Sequence, residues 1–367
     1  MKKILYVLQG LGYGGVSRVL LNYYKHIKNN FKADFVVKDD SNLNSEFANK
    51  LREYGCNIFP VTSFNKNMIK YSRDVGQIIK NGNYDIVHDN NKYFGFLSLY
   101  QAKKYGVKKR ISHIHNTIAK SEKKFLHRLF ICAASKLTVY YATNLMACSR
   151  LAGKSMFANK EFYVLNNAID AEQYKFDNVK RNMYRKKKCF ENAMVVITVA
   201  RYDTLKRYDF AFKVFEQLSH INSKFVYVIA GVEKKELKNL ELNSYNSLSD
   251  ETKNKIIFMG KTGKINELLN AADVFLLTSE HEGLGIAVIE AQANGLPCVV
   301  STGLPEEVKV TDLVSFKSLT DPLVEWANEI NNKEISTDIR EKYNAIIEKS
   351  EFSIKEQSNL LIKYYEG

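Results

Sequence analysis

Short runs of β-branched and aromatic residues alternate with longer segments of helical periodicity along most of this chain. Such an alternation favours parallel sheets that are covered by helices on both faces. In the first half the pattern predicts strands at residues 3–8, 33–38, 57–61, 84–88, 109–114, 145–148 and 162–165. Between most of these strands it predicts helices, at residues 16–28, 68–80, 94–105 and 123–135.

The alternation breaks at residues 171–193, which are polar and basic, and then resumes. The second half has predicted strands at residues 194–200, 225–230, 255–259, 274–278 and 297–301. Predicted helices separate these strands, at residues 208–219, 265–271 and 286–294. The predicted fold class is α/β, with two Rossmann-like, doubly wound parallel-sheet domains facing across a cleft.

The same break sets the expected domain boundaries. We expect a first domain at residues 1–170, a linker at 171–193 and a second domain at 194–350. A last predicted helix, within residues 351–367, is expected to pack back on the first domain.

Charge is unevenly divided between the two halves. Residues 1–170 contain 27 Lys and Arg against 11 Asp and Glu, a net charge of +16. The remainder contains 27 basic and 29 acidic residues, a net charge of −2. Segregation of this kind favours a basic surface that meets an anionic partner, and compositional drift in a lysine-rich chain is the alternative.

One basic segment also carries apolar residues at helical spacing. Lys120, Lys123, Lys124 and Arg128 alternate with apolar residues between positions 118 and 131. This composition is typical of a helix that lies on a membrane surface, although a half-buried surface helix has a similar pattern. Its place in the basic half favours contact with an anionic membrane.

The expected location is cytoplasmic, peripheral on the inner face of the cell membrane. No apolar run reaches the roughly 20 residues that a membrane span requires. The apolar start at residues 4–8 is very short and leads into glycines, unlike a secretory signal. Five scattered cysteines without a CxxC pair fit a reducing compartment.

Two loops that follow predicted strands have the chemistry of a phosphate site. The first contains Gly14 and Gly15 before a helix, where backbone N–H groups bind phosphate well. It lacks the G-x-G-x-x-G spacing of nicotinamide enzymes. The second places Arg201 and Lys206 after the strand at 194–200, where two cations would clamp a diphosphate, and a solvated basic turn is the alternative.

A carboxylate pair is the strongest local signal. Glu282 lies in a loop between a strand and a helix, and Glu290 lies within that helix. Gly283 and Gly285 lie between them, where backbone N–H groups at a helix N-terminus bind oxygen atoms. Because the helix is otherwise apolar, a buried Glu290 requires a partner.

Two histidines end the strand at 109–114. Alternation sends His113 and His115 to the same face of the sheet, and the pattern leaves open which of them reaches a cleft. No Asp-x-Asp pair and no Cys/His cluster with zinc spacing occurs in the sequence, so no metal site is predicted.

In this order, the motifs resemble those of the GT-B retaining glycosyltransferases of family 4 (glycosyltransferase group 1). The resemblance covers the whole chain and rests on Gly14-Gly15, His115-Asn116, Asn167-Ala168-Ile169-Asp170, Arg201 with Lys206, and Glu282-x7-Glu290. Residues 110–117, residues 290–301 and Trp326 resemble the EpsF-like exopolysaccharide and capsule branch. The chain departs from the family in Gly231-Val232-Glu233, where Gly-Asp-Gly is usual, and in Ala168, where glycine is usual.

The resemblance implies a role for each matching residue. Arg201 and Lys206 would hold the donor diphosphate, with Gly14 and Gly15 over the phosphates. Glu290 would bind the ribose, and His115 would lie beside the reacting sugar. Glu282 and the backbone of Gly283, Leu284, Gly285 and Ile286 would hold the transferred sugar. The implied catalytic residues are His115, Glu282, Arg201 and Lys206.

The function implied is that of a retaining, metal-independent hexosyltransferase. It would use a nucleotide-diphosphate sugar, with a UDP-sugar favoured, and no cofactor. Its acceptor would be a lipid-linked saccharide in capsule, exopolysaccharide or other surface-glycan synthesis. The alternatives are a catalytically inactive nucleotide- or glycan-binding protein, a nicotinamide oxidoreductase and a nucleic-acid-binding protein. The last two lack their usual motifs.

Overall fold

The computed structural model describes residues 1–11, 15–38, 43–115, 125–333 and 336–367. The chain folds into two compact units. Unit 1 comprises Met1–Ala168 and Ile354–Gly367, and unit 2 comprises Ile169–Ser353.

Unit 1 is a seven-stranded parallel sheet with the strand order β3-β2-β1-β4-β5-β6-β7. Its strands are β1 (Lys3–Val7), β2 (Lys32–Lys38), β3 (Ile58–Val61), β4 (Ile86–Asp89), β5 (Lys109–Ile114), β6 (Asn144–Ala147) and β7 (Tyr163–Val164). Its helices are α1 (Gly15–Ile27), α2 (Glu46–Glu53), α3 (Met68–Gly82), α4 (Phe96–Lys104), α5 (Phe125–Tyr141), α6 (Arg150–Phe157) and α15 (Ile354–Glu366).

Unit 2 is a six-stranded parallel sheet with the strand order β10-β9-β8-β11-β12-β13. Its strands are β8 (Met194–Val199), β9 (Phe225–Ala230), β10 (Ile256–Gly260), β11 (Val274–Leu277), β12 (Cys298–Ser301) and β13 (Val314–Lys317). Its helices are α7 (Asn178–Lys188), α8 (Tyr208–Ile221), α9 (Asn239–Ser247), α10 (Asp250–Asn254), α11 (Ile265–Ala271), α12 (Ile286–Ala293), α13 (Leu323–Asn331) and α14 (Thr337–Glu348).

Both sheets are doubly wound, as the sequence predicted. All residues of β11 and β12 are buried, which explains their continuous apolar runs, since helices cover both faces of the sheet. The strand order reverses between β1 and β4 in unit 1 and between β8 and β11 in unit 2. Ligands of such sheets bind at the carboxyl ends of the strands beside this reversal.

The segment predicted as a linker folds as part of unit 2. Its α7 packs against α11 through arginines whose partners lie at the end of α11 and in the loop before β11. Arg181 and Arg185 both form ion pairs with Asp273, and the Arg185 Nη1 to Asp273 Oδ2 distance is 3.0 Å. These two arginines therefore attach the segment to unit 2, which begins at Ile169.

Helix α15 returns to unit 1 and closes a chain of buried polar side chains. The hydroxyls of Tyr6 and Tyr365 lie 3.0 Å apart, and Tyr365 Oη lies 2.6 Å from His88 Nδ1. His88 Nε2 lies 3.0 Å from His113 Nδ1, and the His113 ring centroid lies 3.9 Å from that of His115. These contacts fix the two predicted histidines on one face of β5.

Burial keeps these three histidines neutral. It lowers the pKa of His88 to about 3 and that of His115 to about 4, and it lowers the pKa of His113 well below its ordinary value. Burial also raises the pKa of Asp89, which ends β4, to about 6. The unfolded chain titrates these groups at their ordinary values, so folding is linked to pH.

We expect unit 1 to lose stability as the pH falls below about 6. Between about pH 6 and pH 4.5, the three histidines are protonated in the unfolded chain and neutral in the folded chain, so the unfolded chain binds about three more protons there. Asp89 is protonated only in the folded chain, which offsets one of these protons. The net difference of about two protons corresponds to roughly 2.7 kcal/mol of unfolding free energy per pH unit. Urea unfolding followed by circular dichroism checks this, while fluorescence of Trp326, the single tryptophan, reports unit 2 separately.

The variant His88→Gln should reduce this slope by about half, because it removes one of the two net protons. The matched control is His220→Gln on the exposed side of α8, which should leave the slope unchanged. An unaltered slope in His88→Gln would contradict the linkage.

Candidate functional site

In unit 2 the polar side chains converge where β8 and β11 end. The turn after β8 is tied to the end of β11 by three hydrogen bonds. Thr278 Oγ1 donates to the carbonyl oxygens of Lys206 at 3.0 Å and Arg207 at 3.2 Å. The backbone N–H of Glu280 donates to the carbonyl oxygen of Leu205 at 2.7 Å. The two loops therefore form one rigid edge at the strand-order reversal.

Lys206 and Glu282 form an ion pair in this edge. Each side chain is only 15% exposed, and Ser279 Oγ donates to Glu282 Oε1 at 3.0 Å. Arg201 is 77% exposed and lies 3.2 Å from Asp203 through its guanidinium. The structure thus brings Lys206 and Glu282 together and leaves Arg201 extended into solvent at the same edge.

The loop from Gly283 to Ile286 leads into α12. Gly285 has a φ of +83° at the N-cap of that helix, a left-handed conformation that favours glycine. In the first turn of α12, the N–H of Val288 donates to the carbonyl oxygen of Gly285 at 2.9 Å. The N–H groups of Ile286 and Ala287 precede the first carbonyl partner that a helix offers, so they are available to oxygen atoms of a ligand. Leu284 is buried and anchors the loop in the core of unit 2.

Glu290 lies inside α12 and is only 2% exposed. Its Oε1 accepts a hydrogen bond of 2.6 Å from the hydroxyl of Tyr174, which belongs to the segment predicted as a linker. Asn294 Nδ2 donates to the carbonyl oxygen of Tyr174 at 2.8 Å, so the position of Tyr174 is also fixed. Tyr174 had no signal in the sequence, because 116 residues separate it from Glu290.

In unit 1, His115 follows β5, Asn90 follows β4 and Asn167 lies beyond β7, and the three side chains meet. His115 Nε2 lies 2.8 Å from Asn90 Oδ1, and His115 Nδ1 lies 3.1 Å from Asn167 Oδ1. The sequence named His115 and Asn167 but not Asn90. The sequence feature that could have indicated Asn90 is the polar run Asp89-Asn90-Asn91, directly after the strand predicted at residues 84–88.

The partners of Asn90 set the tautomer of His115. Asn90 Nδ2 donates to the carbonyl oxygens of His88 at 3.1 Å and Val7 at 3.4 Å, so Oδ1 must face the histidine. The neutral ring therefore carries its proton on Nε2 and donates it to Asn90. Its Nδ1 then accepts, which requires Asn167 to present its amide nitrogen instead of Oδ1. Both nitrogens of His115 are engaged by the protein, and the ring is 4% exposed.

Several predicted residues lie at or beyond the limits of the described chain. Gly14, Lys120, Lys123 and Lys124 lie outside the described residues. Gly15 is the first residue of α1, and Arg128 is exposed on α5.

A cavity of about 830 Å³ opens at the opposite edge of the unit 1 sheet, at the amino ends of β1, β4, β5 and β6. Lys2 and Lys109 line it together with Tyr364. Both lysines already donate to carbonyl oxygens at the end of α15. They cap a helix C-terminus there, and the cavity lies away from the polar groups described above.

Within the described residues, no group of three or more potential metal ligands converges. No helix in that part of the chain has the length and hydrophobicity to cross a membrane.

Two protein families match consecutive parts of the chain. Residues 13–173 match "Glycosyltransferase Family 4", and residues 179–321 match "Glycosyl transferases group 1". The putative glycosyltransferase EpsF of Bacillus subtilis is 30% identical over 347 residues, which cover 90% of this chain and 87% of that protein. An Escherichia coli UDP-Gal:alpha-D-GlcNAc-diphosphoundecaprenol alpha-1,3-galactosyltransferase is 26% identical over 302 residues, 78% of this chain and 76% of that protein.

Solved structures show the same fold. Anabaena Alr3699/HepE in complex with UDP and glucose superimposes with a TM-score of 0.81 at 16% identity, over all of both chains. WaaG, a glycosyltransferase involved in lipopolysaccharide biosynthesis, has a TM-score of 0.71 at 14% identity, over 99% of this chain and 100% of that one. By its sequence and its two parallel-sheet units, the chain belongs to the group 1, family 4 glycosyltransferases and has their GT-B fold.

Proposed function

We propose that this glycosyltransferase moves a sugar, with retention, from a nucleotide-diphosphate sugar to a lipid-linked saccharide in capsule or exopolysaccharide synthesis. The observation that carries the proposal is the Lys206–Glu282 pair at the strand-order reversal of unit 2, in the same unit as the Tyr174–Glu290 hydrogen bond. One structural neighbour binds UDP and glucose, and one relative is named for transfer from UDP-Gal to a diphosphoundecaprenol-linked sugar. A UDP-sugar is therefore the favoured donor.

In this proposal Arg201 and Lys206 bind the donor diphosphate and Glu290 binds the ribose. Lys206 exchanges its contact with Glu282 for the phosphate oxygens when the donor arrives. Glu282 and the backbone of residues 283–286 are then free to hold the hydroxyls of the sugar. Gly14 and Gly15 are proposed to bind the same phosphates.

The reaction follows from where charge develops. The bond between the anomeric carbon and the β-phosphate oxygen breaks, and its electron pair remains on that oxygen. Arg201, Lys206 and the N-terminus of α12 stabilise this charge, so the proposal needs no metal ion. The acceptor hydroxyl attacks the anomeric carbon from the face that the phosphate leaves, which gives retention. Its proton passes to the leaving phosphate oxygen.

His115 has no proton-transfer step in this scheme. Its ring is neutral, because burial lowers its pKa to about 4, and both of its nitrogens are bonded to Asn90 and Asn167. We propose that it fixes the loop edge beside the reacting sugar. The acceptor lipid places the reaction at the inner leaflet, where the basic first half of the chain is attracted to anionic lipids.

The identity of the donor is directly testable. A panel of UDP-, GDP-, ADP- and CMP-sugars is measured in EDTA for thermal stabilisation and slow hydrolysis. We expect a UDP-sugar alone to raise the Tm and to release UDP. Hydrolysis that appears only when Mg²⁺ is restored would contradict metal independence. No Tm shift with any member would favour a protein that has lost its donor site.

The roles of the two cations, Arg201 and Lys206, are testable by substitution. Lys206→Met and Arg201→Ala should each lower kcat by about 10²- to 10³-fold, because each removes positive charge from the developing diphosphate. Lys235→Met is the matched control, since Lys235 is an exposed lysine of unit 2 paired with Glu233. The proton NMR coupling of the product's anomeric hydrogen tests retention in the wild type. Turnover near the wild-type rate in Lys206→Met would refute its assignment.

The hydrogen bond from Tyr174 to Glu290 is also testable by substitution. The variant Tyr174→Phe removes the hydroxyl that orients Glu290, so we expect the donor KM to rise about tenfold or more with little change in kcat. Tyr184→Phe, on α7 of the same segment, is the matched control. If Tyr174→Phe and Tyr184→Phe lower kcat to the same extent and lower the Tm to the same extent, Tyr174 is only a packing residue.

A further inference from the structure

Helix α5 exposes apolar side chains along one stripe. Leu129, Leu137 and Tyr140 are 51%, 42% and 67% exposed, and Ala133 lies between them on the exposed side. Their spacing of four, four and three residues puts them on one face of the helix. The opposite face is buried through Ala134 and Thr138. The solvent side of α5 therefore carries an apolar stripe, whereas a surface helix is ordinarily polar there.

The stripe continues onto α4. Because crossovers between parallel strands are right-handed, the helices that follow β3, β4, β5 and β6 lie on one face of the sheet. The Tyr100 ring on α4 is exposed and lies 5.4 Å from that of Tyr141, edge to face. Lys103 Nζ lies 4.7 Å above the ring of Tyr140. Together these residues form the α4–α5 face, defined by Tyr100, Lys103, Leu129, Lys136, Leu137 and Tyr140.

The charge around this face is of one sign. Residues 92–160 contain 14 Lys and Arg and a single acidic residue, Glu122, a net charge of +13 in a chain whose net charge is +14. Helices α4, α5 and α6 contain no Asp or Glu. Lys103, Lys104, Arg128 and Lys136 are exposed along α4 and α5. Among the described residues of α4 and α5, the exposed charged side chains are therefore all positive.

We propose that the α4–α5 face inserts into the interfacial layer of an anionic bilayer. Leu129 and Leu137 enter the acyl boundary, and the rings of Tyr100 and Tyr140 lie at headgroup depth. The lysines extend along the apolar surface and keep their ammonium groups at the lipid phosphates. A second copy of the chain is a poorer occupant, because it would bring two strongly positive faces together.

This inference deepens the proposed function and rests on it for the lipid-linked acceptor, but the binding itself needs neither donor nor acceptor. It adds hydrophobic insertion at defined side chains to the electrostatic attraction of the basic half. Insertion also differs from nucleic-acid binding, in which the lysines and arginines would contact phosphates while Leu129 and Leu137 stayed exposed to water.

The test is co-sedimentation of the full chain with vesicles of phosphatidylglycerol and phosphatidylcholine, and with phosphatidylcholine alone. We expect binding to the anionic vesicles only. The double variant Leu129→Ser/Leu137→Ser should lower the partition coefficient at least about tenfold, since two exposed leucines no longer leave water. Leu240→Ser/Val324→Ser, at exposed apolar sites in unit 2, is the matched control and should bind like the wild type.

A triple variant tests the charge. Lys103→Gln/Arg128→Gln/Lys136→Gln should lose binding, whereas Lys186→Gln/Lys187→Gln/Lys188→Gln, at exposed lysines of unit 2, should keep it. Unchanged binding of the leucine variant would overturn insertion. A wild-type dimer that dissociates in the leucine variant, seen by light scattering, would overturn it in favour of a second copy.

Transfer to a short, water-soluble acceptor separates this inference from the proposed function. The leucine variant should keep wild-type turnover with that acceptor, because the α4–α5 face lies outside the proposed donor site. Vesicle binding as predicted in a protein that transfers no sugar would defeat the function and leave the insertion intact. If the protein transfers sugar but the leucine variant binds vesicles as well as the wild type does, the insertion is refuted and the proposed function stands.

Discussion

Burial of each parallel sheet on both faces is the constraint on which the rest of the structure depends. Helices cover both sides of the strands, so polar side chains are confined to the loops at the two edges of each sheet. In unit 2 this gathers Lys206, Glu282 and Ser279 at the carboxyl ends of β8 and β11. In unit 1 it gathers Asn90, His115 and Asn167 at the corresponding edge. Each group lies at or near a point where the strand order reverses.

Polar groups inside the units are held by dense sets of hydrogen bonds. Arg340 on α14 is buried and donates to the carbonyl oxygens of Asn294, Ala272 and Leu269 at 3.1 to 3.2 Å. It therefore joins α14 to the ends of α11 and α12. Such a group is costly to bury unless its donors are satisfied, and the same satisfied contacts keep α12 in place. The position of Glu290 thus depends on residues far from it in sequence.

Local sequence signals predicted the two-unit fold but missed the parts that depend on distant contacts. The predicted GT-B architecture and family are confirmed. Strands such as β11 were predictable because burial on both faces leaves a continuous apolar run. The strand β13 was not, because three of its four residues are only partly buried and the run is mixed.

The same limit applies to the site. The spacing of Glu282 and Glu290 and the position of Arg201 and Lys206 after a strand could be read locally. The partners of these residues could not be read locally. The polar and basic sequence of α7 predicts a linker because Asp273, which pairs with its arginines, is about 90 residues away. Tyr174 likewise has no local signal, because Glu290 is 116 residues away. The roles assigned to Arg201, Lys206, Glu282 and Glu290 stay predictions.

The return of α15 to unit 1 has a consequence for biosynthesis. During translation the first 168 residues leave the ribosome long before α15, because all of unit 2 is made in between. Until then Tyr365 is missing from its place beside Tyr6 and His88, and an apolar surface of α1 and β1 has no cover. Unit 2 is continuous in sequence and is able to fold first. The nascent protein therefore completes its first unit last, and it requires protection from aggregation during that interval.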